Sequence, residues 1–296
     1  MTIHIVGAGI VGLTIAELLQ PYFADIVIYE RDEIGGACVD NKNFQKFVHV
    51  MHTDFEDVWR FVSDRTEIKP HRTVSKSYVD GELWPWLPVE ITDEVIDKQV
   101  RGYSFKQWLS EPPKEALARI KTDPDGRIFR DKFEGVPNYS LLFENLAKGK
   151  NIVKRDIRYG DLSEGKIILT GAVDEYFGFC FGELPYRGMK SVHFQSEVRL
   201  DADIYTFNDP KIPFQRLIDY DRLGYEGGWI GLEVACNDKH YPVRNDESEA
   251  LYAKYEALAK NNDVSLVGRL ATYRYIDSDD AIKQAFDFVS YYLAAG

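Results

Sequence analysis

An apolar run, Ile3 to Val6, is followed by Gly7-Ala8-Gly9-Ile10-Val11-Gly12 and then by Leu13 to Leu19, whose apolar positions recur at helical spacing. This order predicts a strand, a tight turn and a helix. A second apolar run, Ile26 to Tyr29, ends in Glu30 and predicts the next strand of a βαβ unit. Residues 54–64 place Phe55, Val58, Trp59 and Val62 on one face of a short helix, with Thr53 or Asp54 as its cap. Residues 73–80 and 82–87 read as two strands turned at Asp80-Gly81. Ile91 to Leu109 is helical in pattern until Glu111-Pro112-Pro113 breaks it, and 114–121 reads as a short helix. Helices are expected at 139–148, 172–177, 246–261 and 278–293, and strands at 151–156, 166–170, 189–200, 203–208 and 264–267. A closing helix after the Gly268-Arg269-Leu270 turn implies that the chain returns to its first domain.

The first turn carries chemistry. At G-x-G-x-x-G spacing, Gly7 permits the turn, Gly9 lets backbone approach a pyrophosphate, and Gly12 lets helix and strand pack closely, while the helix N-terminus attracts an anion. Glu30 stands near the distance at which an acid meets a ribose hydroxyl. A glycine turn without a ligand is the plainer alternative, but it leaves the order of strand, turn, helix, strand and acid unexplained. Directly after Glu30 comes Arg31-Asp32-Glu33-Ile34-Gly35-Gly36, and this E-R-x-x-x-G-G arrangement resembles FAD proteins of the glutathione-reductase-like class. FAD is therefore expected rather than NAD. The class contains oxidases, reductases and a non-redox isomerase family, so it does not select a reaction.

Composition narrows the partners. With 45% hydrophobic and 28% charged residues over 296 positions, the chain has the make-up of a soluble globular protein. A net charge of −12 without a basic block argues against binding nucleic acid. No apolar stretch reaches membrane-spanning length, and the strand at the start leaves no room for a signal peptide, so no membrane association is expected. Cys38, Cys180 and Cys236 are odd in number, far apart and outside C-x-x-C spacing, which fits a reducing cytoplasm and argues against disulfides or a metal site.

Four later stretches occur in order: His49-Val50-Met51-His52-Thr53; Gly102-Tyr103-Ser104-Phe105-Lys106-Gln107-Trp108; Leu169 to Phe177 with Gly182 to Arg187; and Tyr241-Pro242-Val243 followed by Gly268 to Asp277. Together they resemble the UDP-galactopyranose mutase family. The resemblance spans almost the whole chain, and the ordered set is far more specific than any one member. It implies an α/β fold, an FAD-binding Rossmann-like (glutathione-reductase-like) domain with an antiparallel sheet substrate domain and a reduced helical subdomain. The parts expected are 1–74 with 135–175 and 240–296 for FAD, 75–88 with 176–239 for the sheet, and 89–134 for the helical and substrate-loop region. The function implied is interconversion of UDP-galactopyranose and UDP-galactofuranose through an adduct between flavin N5 and the sugar, with FAD active when reduced and a reductant such as NAD(P)H to activate it.

The same resemblance distributes roles. His49, His52, Arg216 and Arg269 would be catalytic or face the flavin, and Asp277 would join the flavin-side hydrogen bonds. Gly7, Gly9, Gly12, Glu30, Arg31, Gly35 and Gly36 would hold the cofactor. Tyr103 and Trp108 would form the uridine site; spacing alone leaves this open and leans to core aromatics on one side of a helix. Tyr241 and Tyr275 would meet the sugar diphosphate. The chain also departs from the family. Trp86 stands where the family has asparagine, Phe47 or Val48 where it has a glycine, and no arginine stands near Trp229 to Glu233 for the diphosphate; Glu233 there would repel it. Either another cation substitutes, with Lys121, Arg127 and Arg130 as the candidates and Arg127 the substrate-binding one, or the substrate differs. The shortened stretch 89–101 removes most of a helical dimer face, so a monomer or an atypical dimer is expected. An FAD-dependent oxidoreductase, or a degenerate flavoprotein that binds a nucleotide sugar without turnover, are the alternatives.

Overall fold

β1 (Ile3–Val6) is built from β-branched residues around one histidine, and in the computed structural model it lies at the centre of a five-stranded parallel sheet. The structure describes residues 1–79, 81–86, 90, 92–101, 121–122, 124–125, 130–162, 164–209 and 211–295. The sheet order is Val264–Leu266, Lys166–Leu169, β1, β2 (Ile26–Glu30) and Asn151–Lys154. Ile3 pairs with Ile26 on one side and Lys166 on the other. Parallel neighbours need crossover connections, and α1 (Ile10–Leu19) supplies the one between β1 and β2. The closing helix Ser278–Ala295 packs beside α1 around Ile5, Leu13, Leu142 and Ile282, while Asp246–Asn261 covers the opposite face around Leu169, Tyr255 and Tyr273. Burial on both faces is why these strands read as near-continuous apolar runs.

The second sheet has six strands in the order Tyr186–Gln195, Trp229–Pro242, Arg216–Asp219, Ile204–Phe207, Ser75–Val79 and Glu82–Trp86. It is antiparallel except that Ile204–Phe207 runs parallel to Ser75–Val79. Ser75–Val79 and Glu82–Trp86 pair as the expected hairpin, with Gly81 in the left-handed region at φ 89°. The strands Arg216–Asp219 and Trp229–Pro242 are additions to the sequence reading, as is a small antiparallel sheet of Met51–Thr53, Phe133–Pro137 and Ile68–Pro70. The strand expected at 189–200 instead occupies Tyr186–Gln195.

Helix Glu56–Ser63 corrects one detail. It starts at Glu56, so Phe55 stands at the cap position and is exposed, and Phe61 joins Val58 and Val62 inside. Neither Thr53 nor Asp54 caps the helix; the Thr53 hydroxyl accepts the Phe55 N–H instead. The helical pattern from Ile91 becomes one turn at Asp93–Val95 and a wider π-helical stretch at Ile96–Arg101. Its continuation to Leu109, and the helix expected over 114–121 apart from Lys121, lie outside the described residues.

Candidate functional site

The three glycines of the first turn have different reasons to be glycine. A Cβ on Gly12 would lie 2.0 Å from the Gly7 carbonyl oxygen, and Gly7 itself has φ 113° with the Thr170 side chain in the way. Both are required by the protein. Gly9 has neither constraint: an added Cβ meets nothing within 4 Å, and its φ of −77° suits any residue. The space over Gly9 is space for a ligand. Gly9 also opens α1, whose first N–H groups have no side-chain cap, so a diphosphate there would meet unpaired donors and the positive end of the helix.

Glu30 is placed by β2 to complete this end. One carboxylate oxygen accepts the Ala8 N–H at 2.8 Å and the other the Asp32 N–H at 2.7 Å, leaving further lone pairs for ribose hydroxyls. Gly35, at φ 103°, bridges to Gly9 and donates to the Ala8 carbonyl at 2.9 Å. Arg31 lines the same cleft, but its guanidinium is held by Asp32 at 3.1 Å and Glu175 at 2.5 Å.

The cleft has a volume of about 1030 Å³, at the upper end for a small-molecule site, and it continues past the glycines to His49, His52 and Arg269. Arg269 donates to the Ile276 carbonyl at 2.8 Å, and its guanidinium carbon sits 4.8 Å from the centre of the Tyr241 ring and 5.8 Å from that of Tyr275. One cation is thus held by two aromatic rings at the cleft wall. The His49 imidazole hydrogen-bonds the Phe47 carbonyl through Nδ1 at 2.9 Å. Burial, aided by the charges of Arg269 and Arg216, lowers its pKa to about 4 despite that bond, so it is neutral at pH 7.

His52 Nδ1 lies 2.6 Å from Asp131, and its Nε2 lies 3.8 Å from Asp277. The hydrogen bond from His52 is the chief reason the Asp131 carboxyl is pushed down to about 2, with Lys121 adding to it. An ionised carboxylate has no proton to give, so the imidazole is the donor. Asp131 escaped the sequence reading because it stands 79 residues from His52 and belongs to no motif.

The charge pattern at the far side corrects the sequence reading. Glu233 is fully buried and does not face a diphosphate; it pairs with Arg216 at 2.9 Å and accepts the Val48 N–H at 3.1 Å. Arg216 lines the cleft with its charge already matched, because the two residues lie opposite each other on neighbouring strands. Two expected substitute cations are also engaged: Lys121 by Asp54 at 2.5 Å and by Asp131, and Arg130 by Glu134 at 3.3 Å. Lys239, missed in the sequence, also lines the cleft and is held by the buried Asp174 at 2.6 Å. Tyr103, Trp108 and Arg127 lie outside the described residues.

Comparison with known proteins fits this geometry. The sequence profile of a family described as UDP-galactopyranose mutase matches residues 98–275, more than half of the chain. The chain belongs to the UDP-galactopyranose mutase family. A second profile, described as an NAD(P)-binding Rossmann-like domain, matches residues 5–65. Among individual relatives, dTDP-fucopyranose mutase from Escherichia coli is 28% identical over 98% of this chain and 97% of its own length. A probable UDP-galactopyranose mutase from Klebsiella pneumoniae is 27% identical over 97% and 94%. A solved structure of reduced UDP-galactopyranose mutase covers 100% of this chain and 96% of its own, with a TM-score of 0.72 at 14% identity. Putrescine oxidase bound to putrescine gives 0.62 at 14% identity over 99% of each chain. The fold is that of these proteins, and the space over Gly9, the donors of α1 and the Glu30 carboxylate fit FAD. Among the described residues no helix is long and apolar enough to cross a membrane.

Proposed function

We propose that the protein is a flavin-dependent mutase that interconverts the pyranose and furanose rings of a nucleoside-diphosphate sugar of the galactose type, the class that includes UDP-galactopyranose and UDP-galactofuranose. The observation that carries this reading is one continuous cleft among the described residues, which begins at a glycine the protein itself does not require and reaches the second sheet, giving cofactor and sugar a shared space. When bound and reduced, FAD would supply its N5 as the nucleophile for the anomeric carbon. Such chemistry needs no protein nucleophile, and the family relatives carry the name mutase.

The chain's own residues orient and stabilise. Gly7, Gly9, Gly12, Gly35, Gly36 and Glu30 hold the dinucleotide, with Arg31 at its edge. Arg269, kept in place by Ile276, Tyr241 and Tyr275, stabilises negative charge at the ring end of the cofactor. Neutral His49 donates from Nδ1 to Phe47 and therefore offers Nε2 as an acceptor to the cleft. Asp131 fixes the His52 ring, and Asp277 faces its other nitrogen. Tyr103 stacks on the base with Trp108 beside it, and Arg127 meets the phosphates. The parts divide as 1–74 with 135–175 and 240–296, 75–88 with 176–239, and 89–134, in a monomer or an atypical dimer in the cytoplasm, with a reductant such as NAD(P)H priming the flavin.

The pairing of Arg216, Lys121 and Arg130 with carboxylates favours a second reading, binding of a nucleotide sugar without turnover. One experiment separates the two. Protein reduced with dithionite is incubated with UDP- and dTDP-linked furanoses, and the pyranose is followed by chromatography. Formation of pyranose is expected. Binding with no product refutes the mutase and leaves the second reading.

A further inference from the structure

Resting on the mutase reading, we propose that Trp86 and Ile204 form an apolar wall that selects a 6-deoxy sugar over its 6-hydroxy counterpart. The placement comes from strand register. Trp86 lies opposite Ser75, and Ser75 lies opposite Ile204, so these three side chains share one face of the second sheet, and all three line the cleft. The adjacent row on the same face is Ser77, Thr206 and Arg216. That row is satisfied internally: the Ser77 and Thr206 hydroxyls bond each other at 2.8 Å, and Arg216 pairs with Glu233. Among the described residues, the outer row of this face therefore presents to the cleft an indole and a branched alkyl group with the Ser75 hydroxyl between them.

The chemistry says which sugar carbon such a wall suits. In ring interconversion the anomeric carbon changes bonds, and the oxygens on C4 and C5 exchange the role of ring atom, so those positions must keep their oxygens. The exocyclic carbon takes no part. The hydroxyls on C2, C3 and C6 are all spectators of the bond changes, but only loss of the one on C6 leaves a methyl group, and that methyl gains contact with Trp86 and Ile204. A hydroxymethyl group against this row would lose water with the Ser75 hydroxyl as its one partner among the row's described side chains, and apolar pockets reject an added hydroxyl by up to roughly a hundredfold.

The test holds the nucleotide constant. Galactose and 6-deoxygalactose, each linked to UDP and each to dTDP, are compared by kcat/KM with reduced protein and by equilibrium titration with oxidised protein. A preference for the 6-deoxy sugar of roughly ten- to a hundredfold is expected with either nucleotide. Trp86→Asn should reduce that ratio to near one, while Trp86→Phe, which keeps the wall, should preserve it. Turnover of both sugars at equal rates overturns the proposal while the mutase reading stands. So does a ratio unchanged in Trp86→Asn, or a preference for galactose that disappears in Ser75→Ala. Failure to turn over any of the four overturns the mutase reading and this inference with it.

Discussion

Gly9→Asp separates folding from cofactor binding at one position. A Cβ at Gly9 meets nothing within 4 Å, and the residue is the N-cap of α1, where aspartate is favoured. The cofactor-free variant should therefore match the wild type to within a few tenths of a kcal/mol. FAD binding should be lost, because the new carboxylate fills the space over the turn and repels a diphosphate. At an FAD concentration about 100 times its Kd, the wild type gains about 2.7 kcal/mol from linkage. For 296 residues that corresponds to a rise in Tm of roughly 4–5 °C. The variant should show no rise. Gly12→Ala is the control: its Cβ would fall 2.0 Å from the Gly7 oxygen, so the cofactor-free protein itself should lose about 1–3 kcal/mol or more. Differential scanning fluorimetry with and without FAD, alongside flavin absorbance after desalting, gives both numbers. A full thermal response to FAD in Gly9→Asp would refute the role assigned to this turn.

Three further outcomes are expected. Glu233→Arg should destabilise the protein by about 3–5 kcal/mol, since it replaces one half of a buried ion pair with a second cation beside Arg216; urea unfolding with an unchanged midpoint would contradict this. The folded His49 pKa, about 4, lies below its ordinary 6.5, so the unfolded chain binds more protons between these values. Stability contributed by neutral His49 should thus be full above pH 6.5 and fall as the pH drops toward 4, and His49→Gln should flatten the slope of Tm against pH in that window. Tyr103→Ala should weaken UDP binding by about 1–3 kcal/mol by calorimetry, with Tyr103→Phe largely spared, because stacking uses the ring and not the hydroxyl.

The first βαβ unit was legible because each level of pattern agrees there: apolar strands, a glycine turn whose spacing follows the backbone, and an acid at the end of β2. The closing helix was legible for the same reason, its apolar stripe facing α1. The strands Arg216–Asp219 and Trp229–Pro242 were not, since their inward positions carry Arg216 and Glu233, which read as polar surface until the register shows that each neutralises the other. For the same reason Glu233 reads in the sequence as a charge facing the substrate. The His52–Asp131 contact and the Lys239–Asp174 pair join residues 79 and 65 positions apart, and no spacing rule reaches that far. Trp86 was visible only as a departure from the family. Its position beside Ser75 and Ile204 on the cleft floor required the hairpin register and the parallel pairing of Ser75–Val79 with Ile204–Phe207.

The most direct measurement counts sugar turnovers per reduced flavin under anaerobic conditions, with the flavin spectrum recorded throughout. Many turnovers for each flavin reduced once are expected, with the reduced spectrum unchanged at the end and no turnover by the oxidised protein. Equal rates in the two oxidation states, or one product molecule for each flavin oxidised, would contradict a flavin-dependent mutase.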